Sequence, residues 1–287
     1  MKNFKTTITA LITPFKNNKV DMISLEKIVK FQLENGVGGF VINGTTAESP
    51  TLEWSEVCDI FKKVKSLVGS QVPLIVGTGS NSTAATVELS KKAEALGADA
   101  CLVAVPYYNK PPQRGLVAHF EVVANAIKIP LILYNVPTRT ITSLSIESIV
   151  SLSKHKNIIG IKEASGNIDL AKTIAKECDK DFILLSGDDL TYVDFLEAGG
   201  QGVISVAAHI IPRAFSELLK NKNQSKSYKS YLRLISLLFS EANPIPLKKA
   251  LQLMGQIESA ELRLPLCELE ENLTRDLLLE LEKMELL

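Results

Sequence analysis

Lysine is the side chain that forms an imine with a carbonyl, and Lys162 stands where that chemistry has a use. It follows the apolar run Ile158-Ile159-Gly160-Ile161, so its amine sits at the rim of a buried segment. Desolvation there disfavours the charged form and leaves an amine able to attack a carbonyl carbon. The ordinary alternative is a lysine that snorkels from a strand end into water. Its neighbours favour chemistry. Imine formation moves protons to and from a carbinolamine, a task suited to the phenol of Tyr134, which ends the run Leu131-Ile132-Leu133. Thr45 and Thr46, after Gly39-Phe40-Val41-Ile42, offer hydroxyls for a proton relay and backbone N–H groups for a carboxylate. Arg139 offers paired hydrogen bonds to a substrate carboxylate. Taken singly, Tyr134 reads equally as core, Thr45-Thr46 as turn chemistry and Arg139 as a surface charge. Their arrival together at the ends of successive apolar runs is what points to a site.

Other polar features carry less. Asp188-Asp189 resembles a metal-binding pair but lacks a third ligand, and is expected to cap and charge a helix start. Glu48 is given the same helix-start role. Gly77-Thr78-Gly79 and Gly199-Gly200-Gln201-Gly202 lack Walker spacing and are expected to allow close backbone approach or tight turning. Trp54 fits either buried packing or an interface pocket. His119, His155 and His209 show no HxxxH or HExxH spacing, so no metal site is expected. Cys58, Cys101, Cys178 and Cys267 form no CxxC pair and are expected to be reduced, mostly buried thiols of a cytoplasmic protein.

These residues need a scaffold that brings strand ends together. Eight short apolar runs recur: Ile8–Ile12, Gly39–Ile42, Pro73–Val76, Ala100–Val105, Leu131–Tyr134, Ile158–Ile161, Phe182–Leu185 and Gly202–Val206. Each is apolar throughout instead of alternating, as in parallel strands buried on both faces. Amphipathic segments lie between them. Ser24–Glu34 places Leu25, Ile28, Val29 and Leu33 on one stripe closed by Gly36, and Ser82–Leu96 runs from a Ser/Thr cap to Gly97. No GxGxxG follows the first run, and eight evenly spaced units favour an α/β fold of the (β/α)8 TIM-barrel type over an open sheet. The eighth helix is expected to end near Asn221. A polar, Lys-rich stretch to Lys229 follows, then helices over Ser230–Glu241, Ile245–Met254 and Leu269–Leu287. The expected division is a barrel over 1–223 and a helical C-terminal region over 224–287, the latter read as a packing and oligomerisation element. With 32 basic and 32 acidic residues among 287, the chain presents no electrostatic footprint for nucleic acid or an anionic membrane. Its apolar runs are too short to span a bilayer, and the first residues lack a signal-peptide core.

The segments Gly44-Thr45-Thr46-Ala47-Glu48-Ser49, Pro106-Tyr107-Tyr108-Asn109-Lys110-Pro111, Tyr134-Asn135-Val136-Pro137-Thr138-Arg139-Thr140 and Gly160-Ile161-Lys162-Glu163-Ala164-Ser165-Gly166 together resemble the dihydrodipicolinate synthase (4-hydroxy-tetrahydrodipicolinate synthase) family. That family lies within the pyruvate-dependent class I aldolase superfamily, which includes N-acetylneuraminate lyase. The resemblance spans essentially the whole chain, including Ser186-Gly187-Asp188-Asp189, Gly202-Val203-Ile204-Ser205 and Asn243-Pro244-Ile245-Pro246. It implies condensation of pyruvate with L-aspartate-4-semialdehyde on the route to diaminopimelate and lysine, with no cofactor. Lys162 would form the Schiff base, and Tyr134 would shuttle protons, linked through Thr45 to Tyr108 from an adjacent subunit. Thr46 would hold the pyruvate carboxylate, Arg139 the aldehyde's carboxylate, and Gly187 and Ile204 would shape the pocket. A dimer is then the minimum unit, and a homotetramer built as a dimer of dimers is expected. The rivals are a sister aldolase acting on sialic acid or keto-deoxy sugar acids, and a catalytically silent barrel. Two departures stand out. The family usually has glycine where Ala47 stands, so alanine would be strained if that position required φ > 0. Ser49, Leu52, Trp54, Asn81 and Tyr107 match an allosteric lysine site, but Ala85 stands where an acid would pair with the inhibitor's ammonium, and Val57 where inhibited bacterial relatives tend to carry an imidazole. Weak or absent inhibition by L-lysine is expected, with Glu53 or Glu56 as the available substitute anions.

Overall fold

In the computed structural model, which describes residues 2–221 and 225–287, the eight apolar runs form eight parallel strands. They are β1 (Thr7–Ala10), β2 (Gly39–Ile42), β3 (Leu74–Gly77), β4 (Ala100–Ala104), β5 (Leu131–Asn135), β6 (Ile158–Glu163), β7 (Ile183–Ser186) and β8 (Gly202–Ser205). Each pairs with its sequence neighbours, and β1 closes the ring by pairing with both β2 and β8. The expected (β/α)8 barrel is formed. A two-stranded hairpin, Phe15–Lys16 with Lys19–Val20, follows β1.

The helices between the strands are α1 (Met22–Glu34), α2 (Trp54–Val68), α3 (Thr83–Leu96), α4 (Gln113–Ala126), the short α5 (Pro137–Thr140), α6 (Ile146–Ser153), α7 (Ile168–Glu177) and α8 (Tyr192–Glu197), and α9 (Pro212–Lys220) follows β8. Local chemistry sets their ends. The Asp21 carboxylate accepts from the backbone N–H groups of Ile23 and Ser24 at the start of α1, and the Ser82 hydroxyl accepts from Ala85 N–H at the start of α3. Gly97 ends α3 at φ +90, a conformation glycine adopts without a Cβ penalty.

Successive strand residues point to opposite faces, so one sequence run feeds two cores. Ile8, Val41, Ile75, Leu102, Ile132, Leu185 and Ile204 fill the barrel interior. Phe40, Val76, Val103, Leu133 and Leu184 pack outward against the helices. That double burial is why the strands read as unbroken apolar runs.

The C-terminal region contains α10 (Ser225–Lys229), α11 (Leu232–Leu238), α12 (Ile245–Leu253) and α13 (Glu271–Lys283). The last three pack on one another through buried Leu234, Leu238, Leu247, Leu251, Leu277 and Leu281. Part of the Lys-rich stretch is helical: α10 is held down by Tyr228, whose hydroxyl donates to the Asp189 carbonyl at 2.7 Å. The expected 223/224 boundary lies outside the described residues. The cysteines differ from expectation. Only Cys101 is buried; Cys58 and Cys178 are half-buried and Cys267 is exposed, because Cys267 lies in a loop and Cys178 at the end of α7. Among the described residues, no helix is long and apolar enough to cross a membrane.

Candidate active site

Strands β5 and β6 lie in register with Tyr134 beside Lys162 and Asn135 beside Glu163. The ladder continues past the apolar run, so Lys162 lies within the strand and not beyond its end. Tyr134 joins the interior cluster, and the Lys162 Nζ lies 4.2 Å from the centre of its ring. Both are buried, at 6% and 8% exposure. Among the described residues nothing forms an ion pair or hydrogen bond with this amine, so it is not neutralised by a structural carboxylate. Glu163, the next residue, faces the other side of the strand. Its carboxylate accepts from Asn135 Nδ2 at 2.7 Å and from Ser165 N–H at 2.6 Å, and burial pushes its pKa up.

Gly187, just past β7, donates its N–H to the Glu163 carbonyl at 2.7 Å. A Cβ at this position would lie 2.8 Å from Lys162 Cε and 2.6 Å from Ala164 Cβ. Glycine is therefore what lets the end of β7 close over the lysine stem. Ile204 is fully buried in the same interior.

Past β2 the chain makes a 3-10 turn, Thr45–Ala47, closed by Ala47 N–H to Gly44 O and Glu48 N–H to Thr45 O, both 3.1 Å. Thr46 is buried, and its hydroxyl oxygen accepts from Asn243 Nδ2 at 2.9 Å. The end of β3 approaches this turn closely: Asn43 Nδ2 donates to Gly77 O at 2.8 Å, and a Cβ on Gly77 would sit 2.2 Å from the Asn43 carbonyl. Ala47 does not have a positive φ. The left-handed residue is Glu48, at φ +58, so the strain anticipated for alanine does not arise.

Arg139, on α5, is exposed, and its Nη2 donates to the Asn243 carbonyl at 3.3 Å. Thr45, Tyr134 and Arg139 line a cavity of about 450 Å³ at the barrel mouth, together with Ser49 and Tyr107. Lys162, Tyr134, Thr45, Thr46, Arg139, Gly187 and Ile204 are thus brought to the C-terminal ends of the strands, where barrel chemistry belongs. Tyr108 is not. It is 87% exposed at φ +71 and does not line that cavity. Leu52 and Trp54 are half-buried against the helix-layer core, which is the packing alternative for Trp54. The Asn81 carbonyl accepts from Asn109 Nδ2 at 2.8 Å.

Two sequence expectations are corrected. Asp188-Asp189 do not cap their own helix. Asp189 is fully buried and accepts from the N–H groups of Val206 and Ala207 at 3.0 and 2.8 Å, because its side chain turns to the end of β8. Burial pushes its pKa up to about 6. Asp188 instead accepts from Leu190 N–H within its own loop. Glu48 stands at the N-cap position of the 3-10 turn Ser49–Thr51, but its side chain makes no capping hydrogen bond. It forms a buried ion pair with Lys248, at 2.5 Å. Among the described residues, no group of three or more His, Cys, Asp or Glu could hold a metal ion. Asn243 and Lys248 were missed as neighbours of the site, since Asn243 meets Thr46 across 197 residues of sequence and nothing local marks the contact.

The sequence matches the profile of the Dihydrodipicolinate synthetase family over residues 3–283. The chain belongs to this family. It is 58% identical, over 99% of each chain, to the 4-hydroxy-tetrahydrodipicolinate synthase of Bdellovibrio bacteriovorus. Among solved structures, the dihydrodipicolinate synthase of Thermotoga maritima superposes with a TM-score of 0.97 at 39% identity over 99% of each chain. The chloride-inhibited dihydrodipicolinate synthase of Acinetobacter baumannii, complexed with pyruvate, gives 0.96 at 40% identity over 99% of this chain and 100% of that one. Membership in the family agrees with the closed eight-stranded barrel.

Proposed function

We propose that the chain condenses pyruvate with L-aspartate-4-semialdehyde to 4-hydroxy-tetrahydrodipicolinate, a Schiff-base lyase of lysine and diaminopimelate biosynthesis. The observation that carries the mechanism is the uncommitted, buried Lys162 amine against the Tyr134 ring at the barrel mouth. The amine attacks the keto carbon of pyruvate, and the carbinolamine loses water to give an iminium. Loss of a methyl proton gives the enamine, whose carbon bonds to the aldehyde carbon of the second substrate. The substrate's own amine then attacks the imine carbon, the ring closes, and Lys162 leaves as the free amine. One water is released overall. Lysine is the electron sink, so the scheme includes no metal or organic cofactor.

Tyr134 moves the protons, through Thr45 to Tyr108 of the partner subunit. Thr46 and the N–H groups of its turn take the pyruvate carboxylate; with Asn243 donating to its oxygen, the Thr46 hydroxyl keeps its own proton to give. Arg139 at the exposed rim takes the carboxylate of the aldehyde, and Gly187 and Ile204 shape the pocket. Tyr108 supports assembly into a dimer at minimum, and a homotetramer as a dimer of dimers: its phenol reaches solvent in its own protomer and so serves a neighbour's site. The chain divides into a barrel and a C-terminal helical region, and works in the cytoplasm; its four free cysteines suit a reducing compartment. A coupled assay offering aspartate semialdehyde and, separately, N-acetylneuraminate tests the reaction. Turnover is expected with the semialdehyde only, and cleavage of the sugar acid at a comparable rate would overturn the assignment.

A further inference from the structure

The Thr45–Ala47 turn is gripped from behind by the C-terminal region. Glu48 links this turn to the next one, Ser49–Thr51, in a left-handed conformation that non-glycine residues seldom adopt. Its backbone carbonyl accepts from Thr51 N–H and the Thr51 hydroxyl, both at 2.9 Å. The residue is 2% exposed. One carboxylate oxygen pairs with Lys248 at 2.5 Å and the other accepts from Arg263 N–H at 2.9 Å. Lys248 is fully buried, donates to the Glu261 carbonyl at 2.8 Å, and lies 4.2 Å from the centre of the Phe15 ring. A buried ion pair is a poor source of stability, because desolvation offsets most of the attraction and an apolar pair fills the same space. What it supplies is direction: neither charge can leave without stranding the other. We infer that Glu48 and Lys248 are positioning residues, whose buried pair locks the Thr45–Thr46 turn in the orientation that presents Thr46 to the pyruvate carboxylate. The inference rests on the proposed role of Thr46.

The variants E48Q, K248M and E48Q/K248M separate positioning from mere support. A covalent intermediate divides the reaction into two half-reactions, so kcat/KM for pyruvate reports only the first and kcat/KM for the aldehyde only the second. Each single variant is expected to lose thermal stability, and the double variant to regain much of it, since no lone buried charge remains. In all three, kcat/KM for pyruvate should stay down by about tenfold or more while kcat/KM for the aldehyde is unchanged. A purely structural pair would instead make activity follow stability, affect both substrates alike and recover in the double variant; that result overturns the inference, as does wild-type pyruvate kcat/KM in E48Q. If a single variant does not fold, the double variant decides by the same ratio. T46V tests the underlying reading. Unchanged pyruvate kcat/KM in T46V overturns the role of Thr46 and the inference with it, whereas an impaired T46V beside an unimpaired E48Q/K248M overturns the inference alone.

Discussion

Gly187 sets how closely the end of β7 approaches the Lys162 side chain. In G187A the new methyl group would fall within 2.8 Å of Lys162 Cε and 2.6 Å of Ala164 Cβ, so the lysine stem or the strand end must move. Overpacking of this kind costs about 1–3 kcal/mol, and a nucleophile displaced by a fraction of an ångström reacts about tenfold more slowly or worse. Borohydride trapping with pyruvate is therefore expected to slow at least that much in G187A while the barrel still folds; trapping at the wild-type rate would show that Gly187 does not govern the lysine. The expected weakness of L-lysine as an inhibitor also rests on single residues. Val57 is buried in the core and offers nothing to a ligand. Glu56 is held by Arg263 through contacts of 2.5 and 2.8 Å, which also keep its pKa below the usual carboxylate range, and Glu53 is engaged in the capping box of α2. Neither is free to replace the acid that Ala85 lacks. Loss of a charge partner for a desolvated ammonium costs on the order of 2–5 kcal/mol, at least about tenfold in affinity. Inhibition curves should show little effect at submillimolar lysine, and half-inhibition there would contradict this. The placement of Lys162 beside Tyr134 was legible in the sequence because a polar residue ending an apolar run is conspicuous. Lys248 was not, because its partner lies at the other end of the chain.

At the scale of elements, the strands were readable because burial on both faces makes each an apolar run, whereas links between elements were not. His209 shows the kind of link that no local pattern announces. It lies in the 3-10 turn Ala207–His209 after β8, fully buried. Its Nδ1 donates to the Val206 carbonyl at 2.8 Å and its Nε2 accepts from Ile12 N–H at 3.1 Å, which ties β8 to the end of β1. These partners fit one neutral tautomer; a second proton would face the Ile12 N–H with another donor. Burial accordingly lowers its pKa to about 4. The unfolded chain then takes up the proton first, near the ordinary value of about 6.5, so the histidine's contribution is complete above pH 6.5 and lost as pH falls toward 4. From pH 7 to 5 that loss is about 2 kcal/mol. Asp189 works in the opposite sense, since burial raises its pKa to about 6 and acid relieves its buried charge. Comparison with H209Q cancels that contribution. Denaturant unfolding at pH 7 and pH 5 should show a smaller acid loss in H209Q than in the wild type by about this amount, and equal losses would show that the buried imidazole does not titrate as described. Asp188-Asp189 were misread for the same reason: an acidic pair before a helix resembles a cap, but the Asp189 side chain serves the neighbouring strand's turn.

For the molecule as a whole, the proposed active site draws on both the barrel and the C-terminal region. Asn243 reaches both Thr46 and Arg139, and Lys248 reaches the residue after the Thr45–Ala47 turn. The tail, read from sequence as packing and assembly alone, therefore also touches the mouth of the cavity. The barrel was foreseeable from eight evenly spaced runs; this closure was not, because helical periodicity gives a tail's apolar face without saying which loop it will meet. Tyr108 is exposed on this chain, and the proposal assigns it to a neighbour's site. All of this organisation converges on one amine, so the most direct measurement is covalent. The protein is incubated with pyruvate and borohydride, digested, and its modified peptide sequenced by mass spectrometry. A single reduced adduct is expected on Lys162, absent without pyruvate and absent in K162A. No adduct, or one on another lysine with Lys162 unmodified, would contradict the mechanism.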